Sequence, residues 1–151
     1  MEGKASILIV DDDESTCKSL SLIFKKKGYE TDCAHTGKAA KGKIAERFFN
    51  LALFDIKLPD MEGVELIPVL KEKHPDTVII MVTAHASLET AVRAMNEGAS
   101  SYITKPINVD DVLATIREVL EKQRLMMENR RLLKELQREL VERKKAQEEL
   151  Q

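Results

Sequence analysis

Four short apolar runs in this chain each end abruptly in a polar side chain. Ile7-Leu8-Ile9-Val10 runs into Asp11-Asp12-Asp13, and Leu51-Ala52-Leu53-Phe54 runs into Asp55. Val78-Ile79-Ile80-Met81-Val82 stops at Thr83, and Tyr102-Ile103-Thr104 stops at Lys105-Pro106. Runs this short and this uniformly apolar read as strands buried on both faces, the pattern of a parallel sheet. Parallel strands leave all their carboxyl ends on one edge. That edge would gather several carboxylates, a hydroxyl and an ammonium group, which together can hold a divalent cation and a phosphoryl group side by side.

Segments of helical period separate the runs. Residues 15–27 place Cys17, Leu20, Ile23 and Phe24 on one face, with Gly28 as C-cap, and residues 31–34 form a weaker strand. Thr36 caps a helix carrying Ala39, Ala40, Ile44 and Phe48. After a loop over residues 56–63, a third helix carries Val64, Ile67 and Leu70, and Pro68 inside it is expected to remove a hydrogen bond and bend it. Ser87 opens a fourth helix expected to bury Leu88, Ala91, Val92 and Met95 before Gly98, and Asn108 with Asp111 opens the fifth. Five strands with helices between and after them predict an α/β, doubly wound, three-layer domain. Its ligand crevice should lie at the carboxyl ends of the strands.

The fifth helix outruns the domain. Residues 109–151 hold no Pro or Gly and would make a rod of about 60 Å. Met126, Leu133 and Leu140 recur at seven, with Leu136 and Leu150 in the companion seam and Asn129, Arg143 and Gln147 interrupting it. This is an imperfect coiled-coil pattern. The reading divides the chain into a phosphoacceptor domain, residues 1–120, and an extended helical linker, residues 121–151, that makes a homodimer and leads to an output module beyond it.

Composition sets limits. With 24 basic and 26 acidic residues and a net charge of −2, the chain has no basic stripe for nucleic acid. No run is long enough to span a membrane, and Cys17 and Cys33 lack metal-ligand spacing, so a cytoplasmic protein with reduced thiols is expected. Asp13 and Asp60 read as turn formers, and His35 and His74 as surface residues.

The chemistry of the edge follows from its groups. Asp11, Asp12 and Asp55 would repel one another unless a cation neutralises them, and such oxygen ligands suit Mg2+. Asp55 can act as a nucleophile to form an acyl phosphate, while Lys105 and the Thr83 hydroxyl hold the other phosphoryl oxygens. Alternatives share parts of this set. A haloacid-dehalogenase-type phosphohydrolase also uses Asp, Mg2+, Thr and Lys, but places its nucleophile after the first strand and carries a cap insertion. A flavodoxin-like cofactor binder needs a phosphate-cradling loop where three carboxylates stand here. A dimerisation module that no longer accepts phosphate would not need the full set.

In residues 6–120 the chain resembles the receiver domain of bacterial two-component response regulators. The resemblance rests on Val10-Asp11-Asp12-Asp13, Leu53-Phe54-Asp55, Leu58-Pro59-Asp60-Met61-Glu62-Gly63, Val82-Thr83-Ala84 and Tyr102-Ile103-Thr104-Lys105-Pro106. It implies a flavodoxin-like sheet of strand order 2-1-3-4-5, with Asp55 as phosphoacceptor charged by a sensor histidine kinase or a small phosphodonor. It further implies Mg2+ held by Asp11, Asp12, Asp55 and the backbone carbonyl of Lys57, a switch pair in Thr83 and Tyr102, and a phosphate-contacting Lys105 before a cis Pro106. Lys57 and His85, two residues beyond Asp55 and Thr83, fall where resembling receivers tune phosphoryl lifetime. Glu62 departs from the usual Asp or Asn, which should alter only a loop. The last residues are similar to signalling helices that lead into sensor or kinase modules.

Overall fold

Each apolar run must be carried back to the same edge before the next can pair in parallel, and a helix makes each return. The order is β1 (Ser6–Val10), α1 (Glu14–Lys26), β2 (Glu30–Ala34), α2 (Gly37–Glu46), β3 (Leu51–Asp55), a 3-10 turn (Gly63–Glu65), α3 (Leu66–Lys73), β4 (Val78–Thr83), α4 (Leu88–Glu97), β5 (Ser101–Thr104) and α5 (Val109–Glu149). This computed structural model describes residues 4–84 and 87–150. All four strand pairings are parallel, and the sheet order is β2-β1-β3-β4-β5. The expected doubly wound α/β fold is the observed one.

Alternate residues of each strand feed two cores, as a doubly covered sheet requires. Leu8, Val10, Ala52, Phe54, Ile79 and Met81 pack with Ala40 and Ile44 of α2, Ile67 and Leu70 of α3, and Ala94 of α4. On the other face Ile7, Ile9, Leu51, Leu53, Ile80 and Val82 pack with Cys17, Leu20 and Phe24 of α1 and with Val112 and Ile116 of α5. The amino edge of the sheet is fastened by polar groups. The Asn50 side chain accepts from Ser6 N (3.0 Å), its carbonyl accepts from Val78 N (3.0 Å), and Thr77 Oγ1 donates to the Phe49 carbonyl (2.6 Å).

Three local expectations are corrected. In α4 the large apolar stripe is exposed, with Leu88 83% and Val92 49% accessible and Met95 likewise outside; the fully buried residue is Ala94, with Ala91 half-buried. Small side chains let the helix backbone approach the sheet, and this turns the larger ones outward. Pro68 is the third residue of α3, in the first turn, where a missing N–H is tolerated best, and not in the helix interior. The two histidines have partners: His35 Nδ1 donates to the Asp11 carbonyl (3.0 Å), and His74 Nε2 donates to the Ile44 carbonyl (3.0 Å) and meets Phe48 edge-on.

The chain divides into two compact units, Met1–Leu120 and Glu121–Gln151. The second is helical up to Glu149 and carries its charges in pairs along its own turns, such as Arg124–Glu128 (3.2 Å) and Arg131–Glu135 (3.0 Å). Met126, Leu133, Leu136 and Leu140 of the seven-residue pattern are all exposed. Among the described residues, no helix is long and apolar enough to cross a membrane.

Candidate functional site

The strand ends deliver the polar groups to one edge, as the apolar runs foretell. Asp11 and Asp12 follow β1, Asp55 and Thr83 are the last residues of β3 and β4, and Lys105 follows β5. Backbone pairing continues one step past the strands and fixes their height: Asp11 N donates to the Ala34 carbonyl (3.1 Å) and Lys105 N to the Thr83 carbonyl (2.7 Å). The Lys105–Pro106 peptide is cis.

Carboxylate oxygens of Asp11, Asp12 and Asp55 lie within 4.8 Å of one another. Asp11 is buried, Asp55 half-buried and Asp12 exposed, so the group opens toward solvent through Asp12. Lys105 Nζ lies between the two inner carboxylates, 2.8 Å from Asp11 Oδ2 and 3.0 Å from Asp55 Oδ2. Three hard oxygen donors with an open side fit a divalent cation that keeps part of its water shell.

Burial pushes the Asp55 carboxyl above its ordinary range; Lys105 pulls it down, and the charge of Asp11 adds to the rise. Burial alone would lower Lys105, but its hydrogen bonds to Asp11 and Asp55 outweigh that and raise it. The ammonium is therefore firmly charged beside the half-buried Asp55 carboxylate.

The remaining candidates surround this group. Thr83 is buried at the end of β4, next to β3 through the Asp55–Val82 register. Tyr102 packs against the core beneath α3 and α4, and its hydroxyl is buried with no hydrogen-bond partner among the described residues. Lys57 N donates to Asp55 Oδ1 (3.2 Å), and Lys57 pairs across the loop with Glu62 in an isolated antiparallel bridge. Gly63 N closes that loop on the Ile56 carbonyl (2.6 Å), and a Cβ at Gly63 would lie 1.9 Å from the Asp55 carbonyl oxygen, so only glycine fits. His85 lies outside the described residues.

Several residues near the site do more than their sequence suggests. Asp13 caps α1 by accepting from Ser15 N. Asp60 accepts from Gly37 N (2.8 Å) and Lys38 N (3.0 Å), satisfying the first donors of α2. Glu62 does not stay within its loop: it pairs with Arg93 of α4 at 2.8 Å. Nothing in the local sequence marks these two partners, which lie 23 and 31 residues away. The cysteines are free, and burial pushes the Cys17 thiol up to about 12.

Residues 7–117 match the response regulator receiver domain. The transcriptional regulatory protein ZraR of Salmonella typhimurium strain LT2 is 35% identical over 124 residues, covering 82% of this chain and 28% of that protein. The chain thus spans little more than a quarter of that curated relative. Among solved structures, a CheY-like response regulator receiver domain protein from Methanospirillum hungatei JF-1 is 47% identical, with a TM-score of 0.80 over 82% of this chain and 99% of that one. The beryllofluoride-activated NtrC4 receiver domain dimer is 42% identical, with a TM-score of 0.74 over 78% and 98% of the two chains.

Proposed function

The chain belongs to the response regulator receiver domain family, a phosphorylation-based switch of two-component signalling, and from that premise we propose that Asp55 is its phosphoacceptor. Family membership displaces the phosphohydrolase and cofactor-binding readings. The observation that carries the proposal is the placing of Lys105 between Asp11 and Asp55, beside three carboxylates that open to solvent.

An Asp55 carboxylate oxygen attacks the phosphorus of a phosphohistidine on a sensor kinase, or of a small acyl phosphate. The P–N or P–O bond to the donor breaks, and the leaving group departs opposite the attacking oxygen. Lys105 then exchanges a carboxylate oxygen for a phosphoryl oxygen, and the Thr83 hydroxyl donates to another. Asp11, Asp12, Asp55 and the Lys57 carbonyl would hold Mg2+, which when bound would supply positive charge to the phosphoryl oxygens. The chemistry of the domain itself is this transfer onto Asp55 and the later hydrolysis of the acyl phosphate, in which water takes the phosphoryl group as inorganic phosphate and frees Asp55. Lys57 and, by its place in the sequence two residues beyond Thr83, His85 are assigned the tuning of the phosphoryl lifetime.

Once Thr83 moves toward the phosphoryl group, the ring of Tyr102 follows and reshapes the surface of α4, β5 and α5. Residues 121–151 act as a linker that pairs with a second copy and passes this change to an output module in the cytoplasm. The curated relatives named as transcriptional regulators suggest one kind of output.

Intact-mass measurement after incubation with acetyl phosphate and Mg2+ tests the assignment. The unmodified chain gains one phosphoryl group and Asp55→Asn gains none. Labelling of Asp55→Asn to the same extent would refute it, and no labelling of either would favour a dimerisation module that has no need of phosphate.

A further inference from the structure

The sheet order sets an unusual task for the connection from β2 to β3. Because β1 lies between those strands, the connection must cross β1, and the turn after β2 lies against the carboxyl end of β1, where Asp11 stands. The turn makes a contact on each side as it crosses. His35 Nδ1 donates to the Asp11 carbonyl at 3.0 Å. Two residues on, Gly37 N and Lys38 N donate to the two oxygens of Asp60, at 2.8 and 3.0 Å. Met61 fills the space beside Gly37 so closely that a Cβ there would meet its sulfur at 2.0 Å.

Asp60 and Met61 form the tip of the closed loop that follows Asp55. Leu58 N donates to the Met61 carbonyl (3.0 Å), Gly63 N donates to the Ile56 carbonyl, and Lys57 bridges to Glu62. With so many internal bonds the loop moves as a piece. Fastening its tip therefore fixes the height and tilt of Lys57 at its base, and Lys57 N in turn holds Asp55 Oδ1.

We infer that Asp60 is a positioning residue for the divalent-cation site, and that the turn of His35, Gly37 and Lys38 is a strut between its two halves. One half is Asp11 on β1; the other is Asp55 with the Lys57 carbonyl on the β3 loop. The inference rests on the Mg2+ site proposed above. Asp60 touches neither cation nor phosphate and works only by holding the loop. Gly37 serves the same contact from the opposite side, since any side chain there displaces Met61.

The test is Mg2+ affinity of the full 151-residue chain by calorimetric titration, with a thermal melt of each variant to confirm cooperative folding. Substituting groups that orient metal ligands weakens binding by about 10–100-fold, and Asp60 is one step further out, so Asp60→Ala should weaken Mg2+ by about three- to tenfold. Gly37→Val should weaken it similarly, although it lies on a different element. Asp60→Asn, which keeps one acceptor, should fall between Asp60→Ala and the unmodified chain. Unchanged affinity in a folded Asp60→Ala overturns the inference; should that variant fail to fold, unchanged affinity in both Asp60→Asn and Gly37→Val does so. If the unmodified chain binds no Mg2+, the site itself is wrong and the inference falls with it, so the two failures are distinct.

Discussion

Lys105 and Asp11 stand 94 residues apart in the chain and 2.8 Å apart in space, and the same ammonium reaches Asp55 at 3.0 Å. One ammonium thus bridges two carboxylates that would otherwise repel, offsetting one of their two charges. Lys105→Met should expose that repulsion. Removing one partner of a fully buried ion pair costs about 3–5 kcal/mol, so with the lysine side chain 22% exposed a loss of about 2–3 kcal/mol is expected. Urea denaturation at neutral pH measures it, and a loss under about 0.5 kcal/mol would be that of an ordinary surface site. Because the folded state raises Lys105 above the ordinary 10.5, its contribution is complete below that pH and disappears as pH rises through the elevated value. On the alkaline side the gap between the two proteins should therefore close above pH 10.5, and in acid it should close as Asp55, raised above its ordinary range, takes up a proton.

Tyr102→Phe should act in the opposite direction. The Tyr102 hydroxyl is buried without a partner among the described residues, and such a group costs about 1–3 kcal/mol. Deleting it should stabilise the unphosphorylated protein by about 1 kcal/mol in the same urea assay. Destabilisation would mean that the hydroxyl is satisfied in solution.

Leu88→Ser tests the outward face of α4. At 83% exposure the change should stay within about 0.5 kcal/mol. A loss of 2 kcal/mol or more would place Leu88 in the core after all.

Shortening the chain to end at Leu120 should abolish or weaken self-association in sedimentation, as should Leu133→Glu in the 151-residue chain. Leu133 is 59% exposed, so the charge leaves the single helix intact and acts only on pairing. The same oligomeric state for all three proteins would show that the helix does not pair.

The strand ends were legible because two signals coincide there: an apolar run ceases, and a residue with distinctive chemistry follows. Asp11, Asp55, Thr83 and Lys105 all obey it. The misreading of α4 has a physical origin. Leu88, Val92 and Met95 repeat at helical spacing, and that spacing is the same whether the stripe faces a sheet or faces outward. The packing side was carried by Ala91 and Ala94, whose small size makes them weak in any hydrophobic pattern. Asp60 was hidden for another reason. A turn former and a distant helix cap look alike in sequence, and only the fold brings α2 to the loop. Pro68 was misjudged because the helix begins at Leu66 after a 3-10 turn, which moved the proline into the tolerant first turn.

The fastening around Asn50, Ser6 and Thr77 lies at the amino edge of the sheet, a strand length from the phosphoryl chemistry. One set of stabilising contacts is therefore separate from the reactive groups, at the opposite end of the same strands. An engineer wishing to make this switch more heat-resistant could alter the Asn50 end and leave its signalling timing untouched.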